Sequence, residues 1–240
     1  MQAAEYDLMA QVEERHWWFR ARLSVVRSVL RAYVPQGRGL DCSCGTGMTL
    51  RHLPQWVQTG ADLSPLALAH CRQSGLKQVL RASLTQLPLV DAGFDLVTCL
   101  DTLEHIEDDQ AALAQVYRVL KPGGFALFTV PAHPFLFSGH DRALHHVRRY
   151  RKTELRQKVK QAGFTLRRYS YINCALFPAV AAVRLARPDK GLTNSDTERV
   201  PFAPLNALLY LNFALERLPL RLINLPWGVS LLCLASKPGA

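Results

Sequence analysis

The chain has 240 residues, 49 % apolar and 20 % charged, which suits one folded domain with a sizeable core and excludes intrinsic disorder. Its net charge of +10 favours anionic partners: nucleic acid, an anionic membrane surface or acidic small molecules. The six cysteines form neither a zinc-like paired set nor a secreted disulfide framework, and no apolar run is long enough to span a membrane.

Met1 to Asp7 is acidic and lacks the apolar core of a signal peptide, so a cytoplasmic chain is expected, peripheral at most to the inner face of the membrane. Residues 1–34 read as helical, with Val25, Val29 and Leu30 on one face ahead of Pro35. Arg38 to Ser43 forms a first strand that runs into a glycine turn, and Thr46 to Leu53 a helix. Trp56 to Asp62 is a second strand ending on an acid. Pro65 to Ser74 is a helix with Ser64 as N-cap and Gly75 as its stop. Gln78 to Ala82 and Phe94 to Leu100 are the third and fourth strands. Asp109 to Leu120 is a helix ended by Lys121-Pro122-Gly123-Gly124, and Phe125 to Val130 is the fifth strand. Lys152 to Ala162 is a helix stopped by Gly163, Phe164 to Tyr171 a sixth strand and Val229 to Ser236 the last.

Strands separated by helices of this length imply an α/β fold: a doubly wound, mostly parallel sheet with helices on both faces. Ligands of such sheets bind along the edge where the strands end. Residues 174–228 break the rhythm with six prolines. Ala175 to Leu185 and Pro204 to Leu218 read as apolar-rich helices, and Asp189 to Glu198 as a mobile loop. The expected organisation is a helical cover (1–36), a core (37–173), a helical insertion or lid (174–228) and a last core strand (229–240).

Leu40-Asp41-Cys42-Ser43-Cys44-Gly45-Thr46-Gly47 reads as strand, tight turn and helix start. Its glycines let the backbone approach a ligand, and the helix start offers free amides. A dinucleotide turn would need glycine where Leu50 stands, and no Gly-Lys-Ser/Thr follows to make a phosphate loop. Asp62, in Gly60-Ala61-Asp62-Leu63-Ser64, lies about 20 residues past the turn, where a carboxylate receives two ribose hydroxyls. Leu87-Pro88, Phe94-Asp95-Leu96-Val97, Leu103-Glu104-His105-Ile106 and Val119-Leu120-Lys121-Pro122-Gly123-Gly124 follow in order.

Over residues 38–130 this series resembles the class I S-adenosylmethionine (SAM)-dependent methyltransferases, most nearly the ubiquinone- and menaquinone-biosynthesis-like group. The resemblance implies a Rossmann-like seven-stranded sheet with an antiparallel last strand, SAM as cofactor, and the N-terminal helix as a cover over the site. It implies that Asp62 holds the ribose and that Asp41 orients the turn and the methionine amino end. The cofactor candidates are Asp41, Ser43, Cys44, Gly45, Gly47, Asp62, Leu63, Ser83, Leu84, Leu100 and Asp101. Two positions depart from the family pattern. Ser43 replaces the first glycine, so the turn avoids positive φ there or bears strain. Ser83 replaces an aspartate that binds the adenine amino group.

Methyl transfer needs an acceptor held in line, and a base only where that acceptor carries a proton. Phe137-Ser138-Gly139-His140-Asp141 and His145-His146-Val147-Arg148-Arg149-Tyr150 follow the fifth strand and resemble a segment of one bacterial subgroup. His140, oriented by the adjacent Asp141, is the first base candidate and His146 the second; a solvated basic helix start is the alternative. Trp17, Phe19, His105, Asp141, Arg149 and Tyr150 are the acceptor-contact candidates, and no metal is expected. In His16-Trp17-Trp18-Phe19-Arg20 the aromatics cannot all face one side, so one reaches the pocket while another packs in the core. Arg20 or Arg22 is placed against the SAM carboxylate.

Basic residues cluster between Arg142 and Arg168 beside the apolar insertion, which suits a membrane surface or a lipid-linked substrate. The expected function is therefore methyl transfer from SAM to a small hydrophobic or lipid-linked acceptor, with oxygen favoured. A nucleic-acid methyltransferase is disfavoured, because Leu100-Asp101-Thr102-Leu103 stands where base-methylating enzymes carry Asn/Asp-Pro-Pro-aromatic. A non-catalytic SAM-binding or membrane-adaptor protein is the third alternative.

Overall fold

A computed structural model describes residues 3–186 and 199–239; the loop expected at Asp189–Glu198 lies outside the described residues. Seven short apolar runs become strands: β1 (Gly39–Cys42), β2 (Thr59–Asp62), β3 (Val79–Arg81), β4 (Phe94–Leu100), β5 (Leu120–Pro131), β6 (Thr165–Ile172) and β7 (Ser230–Ser236). They form one sheet in the order β3-β2-β1-β4-β5-β7-β6. All neighbours are parallel except β7, which runs antiparallel to both β5 and β6. The order reverses direction at β1, so β1 and β4 flank the crevice in which such sheets bind ligands.

Burial on both faces explains the strand compositions. Along β7, Leu231, Cys233 and Ala235 join one core while Leu232 and Leu234 join the other. The first core takes Leu113 and Val116 from α5 (Asp109–Val119) and Leu155 and Val159 from α7 (Lys152–Gln161). The second takes Val25, Val29 and Leu30 from α2 (Trp17–Tyr33) and Leu68 from α4 (Pro65–Gln73). The Ser64 side chain accepts a hydrogen bond from Ala67 N–H, as an N-cap should.

Three boundaries differ from the sequence reading. The N-terminal region is two helices, α1 (Ala3–Val12) and α2, because His16 is extended and its Nδ1 caps α2 by accepting from Trp18 N–H at 3.2 Å. The helix after the glycine turn, α3, spans only Met48–His52, since Gly47 at its N-cap has φ 91°. Strand β5 starts at Leu120, which pairs with Phe94 at the foot of β4, so the Lys121–Gly124 segment lies within the strand.

The 174–228 segment supplies α8 (Phe177–Ala186) and α9 (Ala203–Ala214), the latter continuing as 3-10 turns to Arg221. Phe213 and Leu220 are buried in the second core. Asn206 ties α9 to the start of α2, accepting from Trp17 N–H and donating to Arg15 C=O, each at 2.9 Å. By contrast, α8 has no buried residue. Among the described residues no helix is long and apolar enough to cross a membrane.

Candidate active site

The turn after β1 passes through three residues of positive φ: Ser43 at 58°, Gly45 at 54° and Gly47 at 91°. Glycine accepts this freely, whereas a residue with Cβ gives up about 1–2 kcal/mol in the left-handed region. Of its two alternatives, Ser43 therefore takes the strained one. Cys44 folds inward so tightly that a Cβ on Gly60 would stand 2.8 Å from its Sγ. Above the turn lies α1: a Cβ on Gly45 would come within 2.9 Å of Met9 Cε.

Asp62 ends β2 with its carboxylate aimed back at this turn. Its Oδ2 accepts Gly45 N–H at 2.9 Å and its Oδ1 accepts Ser64 N–H at 2.8 Å. Burial raises its pKa, and the amide bonds oppose that rise. Each oxygen keeps acceptor capacity for a further donor. The next residue, Leu63, is 62 % exposed, an unusual apolar surface beside a buried acid. Leu84 is buried nearby in sequence to Ser83, whose hydroxyl pairs with Thr85 Oγ1 at 2.9 Å.

Asp41 is buried on β1, and its Oδ1 accepts the Thr98 hydroxyl at 2.6 Å across the β1–β4 pair. Burial pushes its pKa up to about 6. At the end of β4, Leu100 is buried and Asp101 adopts φ 53°. Asp101 forms a salt bridge with Arg22 of α2. The Arg22 guanidinium lies 4.7 Å from the Trp18 ring centroid and 5.9 Å from that of Phe19. These groups suit SAM: acceptor atoms at a strand end, an exposed apolar wall, and buried negative charge for an ammonium.

The second cluster stands on the loop after β5 and centres on Asp141, at the end of the first turn of α6 (Gly139–Ala143). Its fully buried carboxylate accepts Arg149 Nε at 2.7 Å, Ser138 N–H at 2.9 Å and Arg184 at 3.4 Å. His146 Nδ1 lies 2.9 Å from Asp141 Oδ1. Although burial opposes ionisation, His146 and the arginines hold the Asp141 carboxyl well below the usual carboxylate range. Against an ionised acid, Nδ1 of His146 is the donor.

Asp141 thus pairs with His146 rather than with its sequence neighbour His140, because the Ser138–Asp141 capping box turns the carboxylate away from its own helix turn. The His140 ring lies 6.5 Å from that of His146. His105 approaches His146 edge to face at 4.7 Å, and burial with the His146 neighbour lowers its pKa to about 4. Glu104 is fully buried with no hydrogen-bond partner for either carboxylate oxygen, and burial raises its pKa well above the ordinary value. Among the described residues, Glu104, His105 and His146 are one group whose ligand atoms lie within 4.8 Å of one another, close enough to share a cation.

Several acceptor-contact candidates occupy other places. Tyr150 has no exposed surface; its hydroxyl donates to Asp109 Oδ2 at 2.8 Å and lies 3.1 Å from Leu103 C=O, so it braces the loop and cannot touch an acceptor. Arg149 is likewise buried, spent on Asp141 and on Ala132 C=O. Trp17 packs edge-on to Phe213 of α9, whereas Trp18, which the sequence reading passed over, joins Phe19 beside Arg22. Arg22 meets Asp101, and Arg20 lies over Tyr210. Glu104 also went unassigned, yet an acid between Leu103 and Ile106 was a visible signal. The basic cluster is partly internal: Arg148 and Lys158 both bind Asp109, and Arg168 donates to Leu220 and Ile223 carbonyls.

Comparisons with known proteins bear on the family and the fold. Residues 40–128 match the Methyltransf_11 family, described as a methyltransferase domain. A Mycolicibacterium smegmatis protein named a probable S-adenosylmethionine-dependent methyltransferase is 32 % identical over 157 residues, covering 63 % of this chain and 60 % of that protein. A ubiquinone biosynthesis O-methyltransferase of Pseudomonas fluorescens is 30 % identical over 151 residues, 53 % of this chain and 64 % of that one. The chain thus spans less than two thirds of these relatives' length. Among solved structures, a SAM-dependent methyltransferase from Mesorhizobium loti is similar at TM-score 0.59 and 20 % identity, covering 87 % of this chain and 96 % of that one. A [4+2]-cyclase is similar at TM-score 0.58 and 22 % identity, over 92 % and 82 % of the two chains. That pair shares the fold, and a fold by itself fixes no reaction.

Strand order, antiparallel β7 and the glycine turn on β1 define a class I methyltransferase fold. Within it, residues 40–128 match the methyltransferase domain of the Methyltransf_11 family, whose methyl donor is SAM, and the chain is distantly similar to ubiquinone O-methyltransferases.

Proposed function

We propose that the chain transfers a methyl group from SAM to a hydroxyl oxygen of a small hydrophobic or lipid-linked acceptor. The carrying observation is the Asp141–His146 pair. SAM supplies an activated methyl group, so the protein must hold the two partners in line and remove the acceptor's proton. The ionised Asp141 takes Nδ1–H of His146 and leaves Nε2 as the proton acceptor. His105, kept neutral near pH 7, does not oppose the charge that His146 gains. Asp62, Asp41 and the turn from Ser43 to Gly47 bind and orient the cofactor, with Leu63 and Leu84 as apolar walls. Relatives named as ubiquinone biosynthesis O-methyltransferases support oxygen as the acceptor atom. A hydrophobic acceptor is supported by α8: Arg184 reaches Leu136 C=O and Asp141, while Phe135, Val183 and Leu185 are exposed. Peripheral contact with a membrane belongs to the same reading.

The test is incubation with SAM and a lipid extract, read by mass spectrometry as the gain of one methylene. His146→Ala should lower kcat ~100-fold or more, with SAM affinity intact. Asp62→Ala should weaken SAM binding ~100-fold in calorimetry. Unchanged turnover in the first, or unchanged affinity in the second, would refute the corresponding assignment. The unpartnered Glu104 favours a second reading, in which a divalent cation on Glu104, His105 and His146 assists deprotonation. Loss of turnover on chelation, restored by metal, would select it.

A further inference from the structure

From α9 through the 3-10 turns to Arg221 and the residue that caps them, leucines stand at 208, 211, 215, 218 and 222, a spacing that lines one face. Those five side chains point to solvent, from 53 % exposed at Leu215 to 83 % at Leu222. Phe202 before them and Ile223 and Trp227 after them are also more than half exposed. A soluble monomer rarely presents so much contiguous apolar surface without a partner. The opposite face is already used, with Asn206, Phe213, Glu216 and Leu220 buried.

On the flank between these faces, Tyr210, Arg217 and Arg221 line a groove of about 490 Å³ against α2. Arg20, Arg27 and Arg31 of α2 complete it, so five arginines face a single lining acid, Glu14. Glu14 is taken by Arg51 and His52. Among the described residues, none of the five arginines is paired with a carboxylate; Arg217 and Arg221 meet the hydroxyls of Ser24 and Ser28, and Arg20 lies on Tyr210. Guanidinium groups held this way present a fork suited to phosphate.

We propose that this face is an in-plane docking surface for an anionic phospholipid bilayer: the leucine stripe enters the acyl boundary and the arginine groove receives a headgroup phosphate. This deepens the membrane contact proposed above and rests on that reading. The charge pattern decides between occupants. A second copy could match the leucine stripe, but it would oppose arginine to arginine. The one acid from Arg199 to the C-terminus, Glu216, is buried and accepts the amides of Asn173 and Cys174.

The experiment is co-sedimentation of the full chain with phosphatidylcholine vesicles, with and without phosphatidylglycerol. Binding should require the anionic lipid and weaken as salt rises. Arg217→Gln with Arg221→Gln should reduce it about fivefold per arginine, roughly 25-fold together. Leu211→Ser with Leu215→Ser should abolish it. All four positions lie outside the proposed SAM site, so SAM titration should be unchanged, which separates failure of docking from failure of the methyltransferase reading. Equal binding to neutral vesicles, no binding to either, binding of free glycerol phosphate alone, or a dimer lost in the leucine variant without vesicle binding would each overturn the proposal.

Discussion

Asp41 is a carboxyl placed where burial works against its charge, with one short bond from Thr98 as partial compensation. Its pKa of about 6 gives cofactor binding a pH dependence of defined sign. A raised acid keeps its proton longer in the folded chain, and the protonated form offers a cation nothing. If Asp41 faces the amino end of SAM, affinity should fall by up to tenfold per pH unit below 6 and level off above it. Calorimetry between pH 5 and 8 (a range on either side of that value) would show this slope, and Asp41→Asn should flatten it. Ser43 carries a second test at this scale. It holds φ 58° with an exposed side chain, so Ser43→Gly should relieve left-handed strain and stabilise the fold by about 1 kcal/mol, seen as a rise in Tm.

Among elements, the loop from Pro131 to Arg151 shows why residue type alone misassigns roles. Histidine, aspartate, arginine and tyrosine all look reactive there, but burial sorts them. Tyr150 is walled in and binds Asp109, while Arg149 and Asp141 form the support on which His146 is mounted. Tyr150→Phe should therefore cost about 1–2 kcal/mol in denaturant unfolding and leave the KM for acceptor unchanged. A large KM effect with intact stability would restore Tyr150 to acceptor contact. The strands and the cap at Ser64 were legible because period and capping chemistry are local, whereas the cap at Asp108 was shown by the structure. The break at His16 was not, since it depends on an imidazole serving as N-cap and on Asn206 arriving from α9.

At the scale of the whole molecule, α9 is a layer of the fold as well as an exposed surface. Phe213 joins the core formed with α2 and the sheet, so Phe213→Ala should destabilise the chain by about 3–5 kcal/mol in a single cooperative thermal transition. An early, separate transition for the insertion would contradict that. The excess positive charge is also arranged at this scale. Much of the Arg142–Arg168 cluster is bound internally, and the unpaired arginines that share a groove come from positions some 190 residues apart, as the Arg221–Ser28 bond shows. By itself the sequence determined the α/β layering, the glycine turn and the acid of Asp62. Each is written in contiguous residues whose period, spacing and turn chemistry act over one or two elements. Only the tertiary structure decided that Asp141 serves His146, that Glu104 lies unpartnered beside two histidines, and that a leucine stripe remains uncovered next to an arginine groove. Those outcomes depend on which distant surfaces meet and how far water is excluded between them, and burial of that kind has no local signature in the chain.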